Sequence, residues 1–385
     1  MKKILITGGS GFIGSELVSK LYSTGQYDIT VIDSMSEQIH GRNWEKSFLF
    51  NKIKGKCNFI KDSVTDIELM KTIVPKNEII VHLAAETGTG QSMYQINQYN
   101  QTNIMGTSNI FQAISSSKEV SNVKKIVLAS SRSVYGEGKY LCDECGVIYP
   151  NSRKKGMMLK GDFNFYCPNC GKELKLLPTT EDSEIKPSSL YAFTKYAQEM
   201  MIKTMCKAMS IDYTIFRFQN VYGVGQSLKN PYTGILSVFS SLMLSNKKVN
   251  IFEDGLESRD FVNVMDIVDG VISCLNNPSS NGLTFNLGSG VNTSVKDIAE
   301  MLKKNYKSSS EIIISGDFRI GDIAHNKADI SLAKNILGFE PKIKLEDGLR
   351  QFCSWVNGQD TDNSKYELSL SEMESTGMFI RKHKN

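Results

Sequence analysis

The sequence predicts an α/β protein built on a doubly wound parallel sheet, with a smaller C-terminal α/β region and a cysteine-rich insertion. Three observations carry that expectation. Short β-branched runs alternate with helical patterns through the first half. A string of glycines follows the first run directly, and two Cys-x-x-Cys pairs interrupt the alternation before it resumes.

The elements follow in order. Ile4–Ile6, Ile29–Ile32, Ile79–Leu83 and Lys125–Leu128 are short apolar runs of the kind a parallel sheet buries on both faces. Between the first two, Ile13, Leu17 and Leu21 recur at helical spacing, and Gly25 supplies a C-terminal cap. Residues 139–177 break the rhythm with the cysteine pairs and the basic cluster Arg153-Lys154-Lys155. The pattern resumes with a helix near Ala192–Ala208 and a strand at Tyr213–Arg217. The expected organisation is therefore a first unit over 1–138, the insertion over 139–177, and a continuation of the first unit over 178–222. A region over 223–357 and a polar tail over 358–385, with a short amphipathic helix around Glu367–Glu374, complete it.

Composition narrows the partners. With 385 residues, 40% apolar and 22% charged, the chain has the make-up of a soluble globular protein. A net charge of +4 is too small to nominate nucleic acid, so none is expected as a partner. Glycines arrive at Gly8 and Gly9, too soon for the ~7–15 apolar residues of a signal peptide. No run approaches the ~18 apolar residues of a membrane span, so a cytoplasmic protein with no membrane partner is expected.

Gly8, Gly11 and Gly14 lie after a strand and open a helix. Gly8 permits a tight turn, Gly11 lets the backbone approach a pyrophosphate, and Gly14 allows close helix–strand packing. The helix N-terminus then offers N–H groups to the phosphates. Asp33 ends the next strand, 19 residues after Gly14, where a carboxylate can hydrogen-bond ribose hydroxyls but repels a 2′-phosphate. NAD is therefore expected rather than NADP. His82 reads as a packed, hydrogen-bonded residue, since nothing pairs with it at metal-ligand spacing.

Tyr191 and Lys195, four apart at the start of a helical pattern, share one helix face. A phenol is a poor base at neutral pH unless a nearby cation steadies its phenolate, which Lys195 can do. Ser130, Ser131 and Ser133 follow the strand ending at Leu128 and so face the crevice where ligands bind in such sheets.

With these motifs in hand, the chain resembles the extended short-chain dehydrogenase/reductase family, the Rossmann-type nucleotide-sugar epimerases, dehydratases and decarboxylases. The matching strings run nearly end to end. They include the glycine string with Asp33 and Asp62, Leu83-Ala84-Ala85, Asn103 with Gly106-Thr107, Ser131, and Tyr191 with Lys195. Later come Arg217-Phe218-Gln219-Asn220-Val221-Tyr222-Gly223, Arg259-Asp260-Phe261 with Asp266, Phe285-Asn286-Leu287-Gly288, and Arg319 with Asp322. The resemblance implies that Gly8, Gly11, Phe12, Ile13, Gly14, Asp33, Asp62, Leu83, Ala84, Ala85 and Asn103 bind NAD alongside Tyr191 and Lys195. It implies catalysis by Ser131, Tyr191 and Lys195. It also implies that Thr87, Ser92, Ser131, Asn220, Arg259 and Arg319 hold a nucleotide-diphosphate sugar, with 223–357 mainly a substrate region. Relatives pair through helices near Asn103 and Ala192, so a homodimer is implied. Ser36-Glu37-Gln38-Ile39-His40-Gly41, Gly88–Tyr94, Tyr135-Gly136-Glu137-Gly138 and Asn230-Pro231-Tyr232-Thr233-Gly234 are similar to the bacterial dTDP-L-rhamnose 4-epimerases, which also carry a cysteine-bearing insertion.

Within that family, a 4,6-dehydratase needs an acid and a base in the two positions after the serine, typically Asp-Glu. Here they are Arg132 and Ser133, which cannot fill those roles at neutral pH. C4 epimerisation is the expectation; decarboxylation or epimerisation at another carbon stays open, because the family reuses one triad. The role of Arg132 is left between a structural salt bridge and a substrate contact.

Of eight cysteines, Cys57, Cys206, Cys274 and Cys353 are scattered, whereas Cys142, Cys145, Cys167 and Cys170 form two Cys-x-x-Cys-Gly units. The 21 residues between the inner cysteines lie just beyond the usual ~15–20 of a four-cysteine zinc ribbon. Four thiolates would close the tetrahedral shell, so a zinc here is expected to be structural. A rival reading makes the chain an NAD-sensing binding protein whose ribbon contacts nucleic acid. A sensor has no need of the Ser131–Tyr191–Lys195 set, which argues against it.

Overall fold

The computed structural model describes residues 1–118, 120–228, 234–359, 361 and 364–382. Asn230–Thr233, part of one string quoted above, lie outside the described residues.

Seven parallel strands form the main sheet: β1 (Lys2–Thr7), β2 (Tyr27–Asp33), β3 (Asn58–Lys61), β4 (Ile79–His82), β5 (Lys125–Ser131), β6 (Asp212–Phe218) and β7 (Leu283–Leu287). Their order is β7-β6-β5-β4-β1-β2-β3. The apolar runs form the sheet because helices cover both faces, so neither side of a central strand meets water. Ile4 and Ile6 face one layer and Leu5 the other, all three fully buried. Burying each such side chain contributes about 1.5–3 kcal/mol. The first layer contains α1 (Phe12–Thr24), which closes at Gly25 as predicted, and the helix Val264–Leu275. The second contains the helices Gly106–Ser115 and α2 (Leu190–Met209).

Strand order reverses between β1 and β4, whose C-terminal ends pair as Thr7 with His82. The connections after Thr7 and His82 lead to helices on opposite faces of the sheet, which leaves a crevice at the carboxyl edge. The edge strand β7 comes from within 223–357, beyond the insertion.

The insertion folds on itself. Tyr140–Cys142 pairs antiparallel with both Gly146–Ile148 and Lys175–Leu176, and a short helix spans Lys155–Leu159. Tyr140, Cys142, Phe165, Cys167 and Leu174 form its small core. The tail carries a helix over Ser364–Ser375, longer than predicted, and Phe379–Ile380, which pairs antiparallel with Phe318–Arg319. Leu370, Met373 and Phe379 anchor it. No helix among the described residues is long and apolar enough to cross a membrane.

Candidate active site

A cavity of about 490 Å³ opens at the carboxyl edge of β1, β2, β4 and β5. Gly8, Gly11, Phe12, Ile13 and Gly14 form one wall, with Asp33 and Asp62 farther along. Leu83, Ala84, Ala85 and Thr87 line it from the segment after β4, and Ser131, Tyr191, Lys195 and Asn220 close the other end. Most residues predicted for cofactor and catalysis thus meet in one cleft.

The glycine turn has the shape a dinucleotide requires. Gly8 sits at φ +69, and a Cβ there would lie 2.7 Å from the Ala84 nitrogen. A Cβ on Gly14 would collide with the Gly8 carbonyl oxygen. Side chains are thus excluded where a pyrophosphate would approach the backbone. Gly11 caps α1 without a side-chain hydrogen bond, and no acidic residue stands in the first turn. The leading N–H groups and the positive end of the helix dipole are therefore left for an anion. Asp33 accepts from the backbone N–H groups of Ser10 and Met35, both at 3.0 Å, which fixes its carboxylate beside the turn. Burial pushes its pKa up against those hydrogen bonds and the neighbouring His40. These residues fit NAD.

Tyr191 enters α2 just after its cap, Ser189, whose hydroxyl accepts from the Ala192 N–H. Burial raises the Tyr191 phenol above its ordinary pKa, while a hydrogen bond with Ser131 and the charge of Arg132 pull it back. Ser131 also accepts from the Ser133 N–H at 3.1 Å. Lys195, one turn along α2, is buried and donates to the Ala129 carbonyl at 2.9 Å. Burial brings its pKa down to about 7, against the carboxylate of Glu199. Arg132 contributes a lowering charge at Tyr191, and its own guanidinium is pulled down to about 9 by burial and by Arg259. No hydrogen bond or ion pair of the Arg132 side chain is found among the described residues.

The remaining predicted residues fall outside the cleft wall. Asn103 is buried in the π-helical stretch Asn100–Met105. Its amide bonds the Glu86 N–H and carbonyl and the Thr194 hydroxyl, tying the segment after β4 to α2. Ser92 is buried and donates to the Thr89 carbonyl. Arg259 donates to the carbonyls of Ser258 and Ala324. Arg319 pairs with Asp322 at 2.7 Å and lines a smaller cavity, about 180 Å³, with Thr89, Gly90, Ser188 and Ser189. His82 is packed as expected, between the hydroxyls of Thr7 and Thr107 and near Gln198, and burial drives its pKa to about 3.

Sequence reasoning missed Glu199. It accepts two hydrogen bonds from Arg217 and one from Ser130, all buried, and so clamps α2 to β5 and β6. Its position, one turn past Lys195, was the available signal.

In the insertion, the Sγ atoms of Cys142, Cys145, Cys167 and Cys170 all lie within 4.8 Å of one another, and no disulfide joins them. Tetrahedral zinc–thiolate bonds of ~2.3 Å place sulfurs about 3.8 Å apart, so the cluster fits a metal. Gly146 and Gly171, following each pair, hold φ +80 and +76, the left-handed bend that turns both knuckles inward.

Comparison with known proteins agrees with this geometry. Residues 5–153 match the family model described as GDP-mannose 4,6 dehydratase, and 168–288 match the NAD dependent epimerase/dehydratase family. A dTDP-L-rhamnose 4-epimerase from Burkholderia thailandensis is 35% identical over 92% of this chain and 95% of its own length. The UDP-glucose 4-epimerase of Thermotoga maritima, solved with UDP-glucose, is 27% identical with a TM-score of 0.73, covering 92% of this chain and 98% of that one. The UDP-glucuronic acid 4-epimerase of Bacillus cereus, solved with UDP-glucuronic acid and NAD, is 25% identical with a TM-score of 0.74, covering 92% and 99%. A glycine turn without Cβ atoms, a Ser–Tyr–Lys set at its open end and likeness over nine-tenths of the chain lead to one conclusion: this protein belongs to the extended short-chain dehydrogenase/reductase family of NAD-dependent nucleotide-sugar epimerases.

Proposed function

We propose that this enzyme inverts C4 of a dTDP-linked 6-deoxyhexose of the L-rhamnose type through a transient 4-keto sugar. The observation that carries the reading is Tyr191 beside Ser131 at the open end of the cleft, followed by Arg132 and Ser133 where a dehydratase needs an acid–base pair. Likeness to the Burkholderia dTDP-L-rhamnose 4-epimerase supports the sugar.

Tyr191 takes the proton of the C4 hydroxyl, and Ser131 holds that hydroxyl in line. Arg132 adds a charge that favours the phenolate, and Lys195, anchored on Ala129, would hold the nicotinamide ribose. Gly8, Gly11, Gly14 and Asp33 would hold NAD, which when bound accepts and returns hydride. Rotation of the keto sugar in the cleft would present its other face, and Tyr191 would give the proton back. Asn220 in the cleft, with Arg259 and Arg319 beyond its wall, is proposed to hold the nucleotide diphosphate, a task for which the planar fork of arginine suits phosphate oxygens.

Cys142, Cys145, Cys167 and Cys170 are proposed to hold one structural zinc. A homodimer is proposed through the helices around Asn103 and Ala192, where Met105, Phe193 and Met200 are exposed.

The test incubates purified protein with dTDP-L-rhamnose and other nucleotide sugars and follows the ring protons by NMR. Inversion at C4 with no net NADH is expected; a stable 4-keto-6-deoxy product would instead mean dehydration.

A further inference from the structure

We infer that the cysteine insertion sets the enzyme's affinity for its nucleotide sugar, with Arg153 as the positioning residue, by holding the strand and loop that carry Arg319. The inference rests on the nucleotide-sugar reading above.

Arg153 leaves the insertion and buries its guanidinium, 3% exposed, against Glu253, 1% exposed. The two form a bidentate pair, and the same guanidinium nitrogen that donates to Glu253 Oε1 at 2.9 Å donates to the Asp322 carbonyl at 3.1 Å. A guanidinium this far from water needs its charge matched and its N–H groups used, and here the two terminal nitrogens are bonded while Nε has no hydrogen-bond partner among the described residues. Glu253 supplies the charge, and the Asp322 main chain takes a remaining donor. Asp322 in turn holds Arg319 through its carboxylate. The path from insertion to Arg319 is therefore two short polar links.

Packing reinforces it on both sides. Met158 and Phe163 of the insertion bury against Phe318 and are flanked by Ile320, the two neighbours of Arg319. Ala324 lies in the insertion's own core with Cys142 and Cys167, and its N–H donates to Glu137 at 3.0 Å. Glu253 also reaches the same strand through its backbone N–H, which donates to the Asp317 carbonyl at 2.7 Å.

The insertion's strands are two or three residues long. Such a sheet does not order itself; a metal across its two knuckles would. Loss of that metal therefore loosens Arg153 and, through it, the loop at the Arg319 cavity. The glycine turn, on the far side of the sheet's switch point, has no part in these contacts.

The experiment titrates dTDP, UDP and NAD separately into wild type, Arg153→Met and the charge-neutral pair Arg153→Met/Glu253→Gln, and into wild type after chelation. The pair removes both members of the buried ion pair, so Glu253 is not left stranded and the test stays sound if the single variant folds poorly. For the nucleotide that wild type binds, Kd is expected to rise about tenfold, equivalent to about 1.4 kcal/mol, in the pair and after chelation. NAD affinity stays within about twofold, and in turnover KM rises while kcat changes less than about threefold. Nucleotide affinity unchanged in the folded pair and after chelation would overturn the inference alone. Wild type that binds neither dTDP nor UDP would sink the nucleotide-sugar reading and this inference with it.

Discussion

Lys195 donates its amine to the carbonyl of Ala129, so the helix that presents Tyr191 is pinned to the strand that delivers Ser131 two residues later. Base and hydroxyl-holding serine therefore keep one relative placement before any ligand arrives. Positioned groups of this kind lower a barrier because their ordering precedes reaction.

Tyr191→Phe removes the proton acceptor and little volume. Turnover is expected to fall about 10²–10⁴-fold, the usual range for a general base, with NAD binding retained. Steady-state rates and a fluorescence titration of NAD check it; full turnover in the variant would remove Tyr191 from the chemistry.

Arg132 lowers the Tyr191 pKa by its positive charge, against the raising effect of burial. The phenol can accept a proton only above that pKa, so activity is lost as pH falls through it. Arg132→Met removes the lowering charge, and the acid limb of the kcat/KM profile should move to higher pH. An unmoved limb would mean that the guanidinium does not act on the phenol.

Arg217 and Glu199 form a pair with 3% and 0% of their side chains exposed. Arg217→Met strips the buried Glu199 of its two charged hydrogen bonds, leaving Ser130 and the Lys203 ammonium at 4.0 Å, and should cost about 3 kcal/mol of stability, read as a lower midpoint in chemical unfolding. Replacing both residues with apolar ones should recover much of the loss, which separates the stranded charge from lost packing.

Gly14→Ala places a methyl group against the Gly8 carbonyl. The turn must shift, and NAD affinity should drop at least about tenfold, measured by calorimetry. Retained affinity would show that α1 can back away from the turn.

Metal analysis of protein purified without chelator is expected to find about one zinc per chain, and Cys142→Ser to lose it. Protein that is fully folded and metal-free when purified from zinc-replete cells would count against the ribbon.

How far the sequence could be read depended on whether a feature was local. Gly8 to Asp33 is one β-α-β unit whose function depends on spacing, so the cleft wall was legible residue by residue. Tyr191 and Lys195 were legible for the same reason. Strand Asn58–Lys61 was missed: it is an edge strand whose only apolar members, Phe59 and Ile60, are both half-buried, so no alternating signal arises. The Arg153–Glu253 pair joins residues 100 apart, and nothing in either neighbourhood announces the other. The tail read as polar because Leu370, Met373 and Phe379 are spread thinly among hydrophilic residues, yet they bury together against Phe252 and the strand pairing of Phe379 with Arg319 helps seat them.

Because β7 is drawn from residues 283–287, the main sheet stays unfinished until nearly three-quarters of the chain has been synthesised. Until then β6 presents an open flank beside the apolar Phe216 and Phe218, a surface that invites pairing with another nascent chain. A polypeptide stopped short of residue 283 should accordingly aggregate, whereas one extended well past residue 287 can seal that flank and remain dispersed.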